Sequence, residues 1–274
     1  MGSAFSAAAS QAATLRVVVR DTAPEAGAEA AIAMATVLRE AVRRQGSARV
    51  LFASAPSQSP MIDALKAQDV PWARVTALHI DEYVGIDPSA PQAFGRWLQD
   101  HLFNDVQPGV VELMRPDADP AQECERYGRL VAAAPIDVAC LGIGVNGHLA
   151  FNEPYQWTID DPVRARLVQL DAESRRQQVD EGCFASLDEV PTCAITLTIP
   201  TLLAARHLVV TVSGSHKAQA VARCVSGAIT PAVPASALQT HTSVRLFLDR
   251  AAAAHIESAQ VGAQSAMQSG DASP

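Results

Sequence analysis

The sequence lacks the features that mark several large classes of protein. Its 274 residues contain no apolar run of transmembrane length, and the N-terminus has neither the charged region nor the apolar core of a secretory signal. Five cysteines are present without a C-x-x-C pair, which argues against a zinc cluster or a redox motif. Cysteines without disulfide partners are typical of proteins in a reducing compartment, so we expect a cytoplasmic protein.

Positive charge is also scarce. The chain has 21 Lys and Arg residues against 29 Asp and Glu residues, a net charge of −8. Nucleic-acid binding needs a basic face, so we expect neither nucleic acid nor a membrane as a partner. Hydrophobic residues make up 49% of the chain and charged residues only 18%, a balance typical of a globular protein with a sizeable core.

Apolar, β-prone runs alternate with segments of helical periodicity along most of the chain. This alternation predicts a single-domain α/β fold, a doubly wound, mostly parallel sheet flanked by helices in the Rossmann-like manner. We expect the domain to span residues 15–258, between a flexible arm at 1–14 and a disordered tail at 259–274. Strands are predicted at residues 15–20, 49–53, 75–80, 136–143, 165–170, 193–197, 207–212 and 243–248, and helices at 24–45, 61–67, 90–102 and 121–133.

The stretch IDVACLGIGVNGHLAFNEP, residues 136–154, is the most informative. It begins as a buried strand, and three glycines then interrupt the pattern after Leu141. The polar residues Asn146, His148 and Glu153 follow at the strand's carboxyl end, where parallel sheets bind ligands. One interpretation is a glycine-rich turn with a structural histidine. The other is an imidazole, oriented by an amide and a carboxylate, that moves protons near neutral pH.

Two blocks of sequence resemble known signatures. GIGVNGHLAFNEP resembles that of the glucosamine-6-phosphate deaminases, within the wider family of sugar-phosphate isomerases and 6-phosphogluconolactonases, and LHIDEYVGI at residues 78–86 resembles the second signature. The resemblance, which covers residues 15–257, implies a deaminase-like hydrolase/isomerase of amino-sugar metabolism and N-acetylglucosamine catabolism. Its reaction would convert an amino-sugar phosphate similar to glucosamine 6-phosphate into a ketose phosphate and ammonia, by aldose–ketose isomerisation with deamination and without a cofactor.

The resemblance also assigns catalytic roles. Asp81 would carry a proton from C2 of the sugar to C1, and His148 would open the ring. Asn146 and Glu153 would orient His148. Family members commonly carry Asp at position 146, so Asn removes a negative charge beside the histidine and leaves more of the task to Glu153. From the residues alone, an Asp at a strand end such as Asp81 is usually a cap or a solvated side chain.

Substrate binding is predicted for seven residues, of which the resemblance identifies Lys217 as a phosphate ligand. The seven are Ser54, Ser57, Gln58, Ser59, Glu82, Gly147 and Lys217. Two departures from the family stand out: serines replace a glycine-rich phosphate loop at residues 54–59, and a phosphate-binding arginine is replaced by Gln178. The serines are also compatible with a plain helix cap. Arg175 or Arg176 would either replace the missing arginine or form a solvated charged run.

The sequence leaves two other functions open. Lactone hydrolysis of the 6-phosphogluconolactonase type occurs on the same scaffold, but those enzymes lack the AFNEP block. A non-catalytic sugar-phosphate sensor is the other alternative, although the chain has no helix-turn-helix segment and keeps the acid–base residues. A homo-oligomer is a further expectation, and the identity and phosphorylation of the sugar stay open.

Overall fold

The structure is a computed structural model that describes residues 15–256, so the predicted arm at 1–14 and tail at 259–274 lie outside the described residues. Its strands are β1 Leu15–Arg20, β2 Ala48–Phe52, β3 Val75–His79, β4 Asp81–Tyr83, β5 Val110–Glu112, β6 Val138–Leu141, β7 Ala165–Gln169, β8 Cys193–Leu197, β9 His207–Val212 and β10 Val244–Asp249. Its helices are α1 Ala23–Gln45, α2 Ser59–Lys66, α3 Phe94–Leu98, α4 Asn104–Val106, α5 Pro120–Ala132, α6 Ala172–Asp180, α7 Ile199–Leu203 and α8 Ala218–Ser226.

Seven strands form one sheet in the order β1-β10-β9-β6-β2-β3-β5, and every neighbouring pair is parallel. Successive side chains in a strand point to opposite faces. In β2, Val50 and Phe52 therefore pack with α1 and α2, whereas Leu51 packs against the opposite core, which includes Tyr127 of α5. Both faces are covered by helices, which confirms the predicted fold class.

Local signals in the sequence set the limits of α1. Thr22 accepts a hydrogen bond from the Glu25 backbone N–H, and the Glu25 side chain accepts one from the Thr22 N–H, a capping box. Gly46 ends the helix with a φ of 81° and donates its N–H to the Val42 carbonyl oxygen. The prediction of a helix at residues 24–45 is confirmed.

A second, three-stranded antiparallel sheet contains β4, β8 and β7 in that order. The segments at 165–170 and 193–197 are strands as predicted, but they pair here and not in the parallel sheet. The chain leaves the parallel sheet at Ile80, whose carbonyl oxygen accepts the Leu197 N–H at 2.9 Å, and Asp81 then pairs with Thr196. This small sheet fixes the direction in which the chain continues past β3.

The helix predicted at residues 90–102 is wrong at its start. Residues 90–93 form turns, α3 begins at Phe94, and a wider π-helical turn at Gln99–Phe103 leads into α4. The buried carboxylate of Glu82 explains this start. It accepts the backbone N–H groups of Phe94 and Gly95 at 3.0 and 2.8 Å and so fixes where the helix begins.

Membrane-spanning helices and disulfides are two features that the sequence predicts to be absent. In the part of the chain that the structure describes, no helix is both long and apolar enough to cross a membrane. All five cysteines lie within residues 15–256, and none of them is in a disulfide.

Candidate active site

A cleft lies at the carboxyl edge of the parallel sheet, where the loops after β2, β3, β6 and β9 converge with α6. Parallel strands present their carboxyl ends on the same edge, which brings together residues far apart in the sequence. The polar side chains that line the cleft are Ser54, Ser57, Gln58, Asp81, His148, Gln177, Gln178, Thr211, Ser213 and Lys217. Most of the predicted acid–base and substrate-binding residues therefore meet here or directly behind this surface.

His148 faces the cleft while its ring is held from behind. Its Nδ1 lies 3.0 Å from the Ser174 hydroxyl and 3.7 Å from Glu153 Oε2. Burial, together with the positive charge of Lys217 and against an opposing effect of Asp171, lowers the pKa of His148 to about 3. At neutral pH the imidazole is therefore uncharged, with Nε2 as the ring nitrogen available to a ligand.

Behind His148, one amide donates to two neighbouring carboxyl groups. Asn146 Nδ2 donates to Glu153 Oε2 at 2.9 Å and to Asp171 Oδ2 at 3.3 Å. Asn146 Oδ1 accepts the His148 backbone N–H at 3.0 Å, so it orients the main chain rather than the ring. Burial, together with the nearby Asp171 and against hydrogen bonds from Ser174 and Asn146, raises the pKa of the fully buried Glu153 to about 7. This carboxyl can therefore hold or release a proton near neutral pH.

Two glycines give the loop after β6 its shape. Gly147 has a φ of 90°, in the left-handed region that favours glycine, and does not line the cleft itself. A Cβ on Gly144 would overlap three atoms of the His148 ring. The glycine at position 144 therefore provides the space that the imidazole occupies.

Asp81 and Glu82 are adjacent but face different surroundings. Asp81 lines the cleft, and burial together with the neighbouring Glu82 raises its pKa well above the usual value. Glu82 is buried away from the cleft, where it accepts N–H groups from Tyr83, Phe94 and Gly95. The structure thus gives Asp81 access to a ligand and does not bring Glu82, predicted to bind substrate, into the cleft.

The serine loop at residues 54–59 contributes unevenly. Ser54, Ser57 and Gln58 line the cleft, whereas Ser59 is the first residue of α2 and does not. Gln58 is held by the Thr211 hydroxyl, which donates to its Oε1 at 2.8 Å. The Ser54 hydroxyl is buried without a hydrogen-bond partner among the described residues, a position that a ligand atom could complete.

Lys217 and Gln178 line the same cleft. Lys217 is only 4% exposed, and its Nζ lies 3.7 Å from Glu181 Oε1. Burial lowers the pKa of Lys217, and Glu181 opposes that shift. Gln178 Oε1 is buried without a partner in the described part of the chain.

The two candidate substitutes for the missing arginine lie elsewhere. Arg175 donates to the carbonyl oxygens of Leu187 and Val190, which ties α6 to the following loop, and Arg176 is exposed. Neither of them lines the cleft. Lys217 is therefore the cation that the described residues place on its surface.

Comparison with known proteins places this arrangement in a family. A model of the family glucosamine-6-phosphate isomerases/6-phosphogluconolactonase matches residues 21–247. The chain belongs to this family. It is 33% identical over 242 residues to the glucosamine-6-phosphate deaminase of Lactobacillus delbrueckii subsp. bulgaricus, a match that covers 87% of this chain and 98% of the relative.

Solved structures in this family have the same fold. A monomeric glucosamine-6-phosphate deaminase superposes with a TM-score of 0.80 at 29% identity, over 87% of this chain and 99% of that one. A 6-phosphogluconolactonase from Shewanella baltica superposes with a TM-score of 0.72, over 86% and 98% of the two chains. Its identity is only 18%, so that likeness shows the fold alone.

Sequence reasoning did not include Ser174 and Asp171 in the site. Asp171 caps α6 by accepting the Ser174 N–H at 2.7 Å, and an Asp before a run of helix formers is a recognisable N-cap signal. That signal predicts where the helix begins. It does not indicate that the first turn packs against His148, because the two segments are separated by the strand β7 and long loops.

Proposed function

We propose that this chain catalyses aldose–ketose isomerisation coupled to deamination of an amino-sugar phosphate of the glucosamine 6-phosphate type. The observation that carries the proposal is one cleft lined by an uncharged imidazole, His148, and a buried carboxyl, Asp81. The relationship to a glucosamine-6-phosphate deaminase at 33% identity supports the choice of reaction. The sugar would enter as the closed ring and leave as a ketose phosphate and ammonia.

His148 would open the ring. Its Nδ1 is engaged by Ser174, so proton exchange with the sugar falls to Nε2. The uncharged ring takes the proton of the anomeric hydroxyl and returns it to the ring oxygen as the C1–O bond breaks. While the imidazole is positively charged, Glu153 Oε2 at 3.7 Å from Nδ1 would stabilise it.

Asp81 would move the second proton. Its carboxylate takes the proton from C2 of the open-chain sugar and gives it to C1, through an enolamine. The resulting iminium at C2 adds water and expels ammonia, which leaves the ketose. Because burial raises the pKa of Asp81, its ionised form is a stronger base than an exposed aspartate.

Another part of the same cleft, which we call the anion end, would bind the phosphate. We assign this task to Lys217, to Ser54, Ser57 and Gln58, and to Gln178, whose amide replaces the guanidinium expected from the family. We also propose a role in N-acetylglucosamine catabolism, a cytoplasmic location and assembly as a homo-oligomer. One solved relative is described as monomeric.

An ammonia-release assay tests the proposal. Glucosamine, galactosamine and mannosamine, each with and without a 6-phosphate, are supplied to the purified chain, and ammonia and ketose are measured together. We expect equal amounts of both products from a phosphorylated amino sugar. Hydrolysis of 6-phosphogluconolactone in place of ammonia release, or sugar binding without turnover, would favour the lactonase or the sensor instead.

A further inference from the structure

Lys217, the cation of the anion end, is already paired with a carboxylate of the chain itself. Lys217 is buried, and Glu181 Oε1 at 3.7 Å from its Nζ is the carboxylate that the described residues place beside it. Gln177 Nε2 donates to the same Glu181 oxygen at 2.7 Å, while Gln177 Oε1 accepts the Val145 N–H at 3.2 Å. Glu181 is therefore tethered, through Gln177, to the loop that carries His148.

Around this pair, several polar atoms are buried without a partner in the described residues. They include Ser54 Oγ and Gln178 Oε1, both on residues at least 95% buried that line the cleft, and Glu181 Oε2. Native proteins rarely leave such atoms unsatisfied, so they indicate that a polar ligand completes this end. The charges there already balance, however, because Gln178 is neutral and Lys217 is paired with Glu181.

We infer that Glu181 is a specificity-determining residue that competes with the phosphate of the substrate for Lys217. The inference rests on the proposed function, and it deepens it by stating how this chain recognises a phosphate monoester. A phosphate bound at Lys217 would have to share Nζ with the Glu181 carboxylate, which lies 3.7 Å away and offsets the charge of the lysine. Phosphate would therefore bind more weakly than the buried lysine alone allows, and the preference for phosphorylated over neutral sugars would be modest.

Binding of inorganic phosphate tests this without turnover. Isothermal titration calorimetry would compare the intact chain with Glu181→Gln, which keeps the hydrogen bond from Gln177 but removes the charge. We expect the Kd for phosphate to fall by about tenfold or more in Glu181→Gln, because Lys217 is then no longer paired with a carboxylate and its full charge acts on the phosphate. The matched control is Asp180→Asn, which removes the same charge from an exposed neighbouring residue and should change the Kd by less than about twofold, since exposed charges are screened.

A double mutant shows whether the effect passes through the lysine. In a Lys217→Ala background, Glu181→Gln should no longer tighten phosphate binding to the same extent, because the contested cation is gone. An unchanged or higher Kd in the single variant, or the same gain with Asp180→Asn, would overturn the inference. So would a gain of equal size in the Lys217→Ala background.

Kinetics separate this inference from the proposed function. If the chain releases no ammonia but Glu181→Gln still tightens phosphate binding, the anion site stands and the reaction assignment fails. If ammonia is released but Glu181→Gln alters neither phosphate binding nor the KM ratio of phosphorylated to neutral amino sugar, the reaction stands and the inference about Glu181 fails.

Discussion

The two ends of the cleft differ in how completely they are built. At the acid–base end, His148 Nδ1 lies 3.0 Å from the Ser174 hydroxyl, while Asn146 donates to Glu153 at 2.9 Å and accepts the His148 backbone N–H at 3.0 Å. At the anion end, Ser54 and Gln178 keep buried polar atoms without partners among the described residues. The acid–base end is preorganised around His148, whereas the anion end has a hydroxyl without a partner in the described part of the chain, Ser54 Oγ, and a lysine that is already paired with Glu181.

The difference shows which part of the site tolerates change. Proton transfer needs groups held at fixed distances with shifted pKa values, and the surrounding hydrogen bonds achieve that before any ligand arrives. Binding of a charged group can be redistributed over different donors, since Ser, Gln and Lys side chains all donate hydrogen bonds to phosphate. By the sequence resemblance, the chain accordingly keeps Asp81, His148 and Glu153 at the acid–base end and departs there only at Asn146. At the anion end it keeps Lys217 but departs at residues 54–59 and at Gln178.

The largest effect is expected from Asp81→Asn. The variant keeps the shape of the side chain and removes the base, so kcat should fall on the order of 10² to 10⁴ while substrate binding is largely kept. Steady-state ammonia release together with calorimetric binding of the substrate measures both. If the variant keeps more than about a tenth of the activity of the intact chain, Asp81 is not the base.

A pair of glycine substitutions compares the two ends directly. Gly144→Ala places a methyl group where the His148 ring lies, and the buried ring has little room to move, so we expect a loss of kcat/KM on the order of 10². Gly142→Ala places a methyl group 2.9 Å from Gln58 Nε2, the end of a flexible side chain. A rotamer adjustment there costs about 0.5–1.5 kcal/mol, so the loss should stay below about tenfold.

Both variants need a measure of folding beside the assay. Neither glycine has a φ in the left-handed region, so alanine is compatible with the backbone at both positions. Circular dichroism and thermal unfolding would confirm that the fold is retained. Equal losses in two folded variants would mean that the acid–base end is no more sensitive to displacement than the anion end.

The fold was predictable where strand and helix signals were strong. The apolar, β-branched runs such as the one in β9 and the capped periodicity of α1 are local properties that the sequence displays directly. The short strands β4 and β5 and the antiparallel sheet were missed, because three-residue strands carry little pattern and pairing depends on distant partners. The start of α3 is fixed by Glu82, twelve residues before it.

The site shows the same division. Asp81 and His148 are recognisable because they sit in two contiguous motifs at the ends of strands. Ser174 and Asp171 approach His148 from a different helix, and no local pattern predicts such a contact. Likewise, the pairing of Lys217 with Glu181 depends on how α6 packs against the loop before α8, which single-sequence periodicity does not determine.

A smaller effect is expected from Lys217→Ala. Losing a hydrogen bond to a charged group costs roughly 1.5–3 kcal/mol, so KM for a phosphorylated amino sugar should rise by about tenfold or more. A neutral amino sugar should show a smaller change, because it presents no anion to the lysine. KM values for the sugar with and without its phosphate provide the test. If the intact chain prefers neutral sugars, or the variant treats both alike, Lys217 does not bind a phosphate.

The smallest expected effect measures the coupling between the two ends. Burial, and to a smaller extent the charge of Lys217, lower the pKa of His148 to about 3, so Lys217→Ala should raise this pKa slightly while the larger effect of burial persists. With a folded pKa below its unfolded value of about 6.5, His148 stabilises the fold above that pH. This contribution is lost as the pH falls from 6.5 towards 3.

Imidazole NMR between pH 5 and 8 should therefore show an uncharged His148 ring in both proteins, and measurements extended to lower pH should show protonation beginning at a slightly higher pH in Lys217→Ala. A midpoint near 6.5 in the intact chain would mean that the ring is solvated rather than buried, and identical titrations of the two proteins would mean that the anion end does not influence the acid–base end through charge.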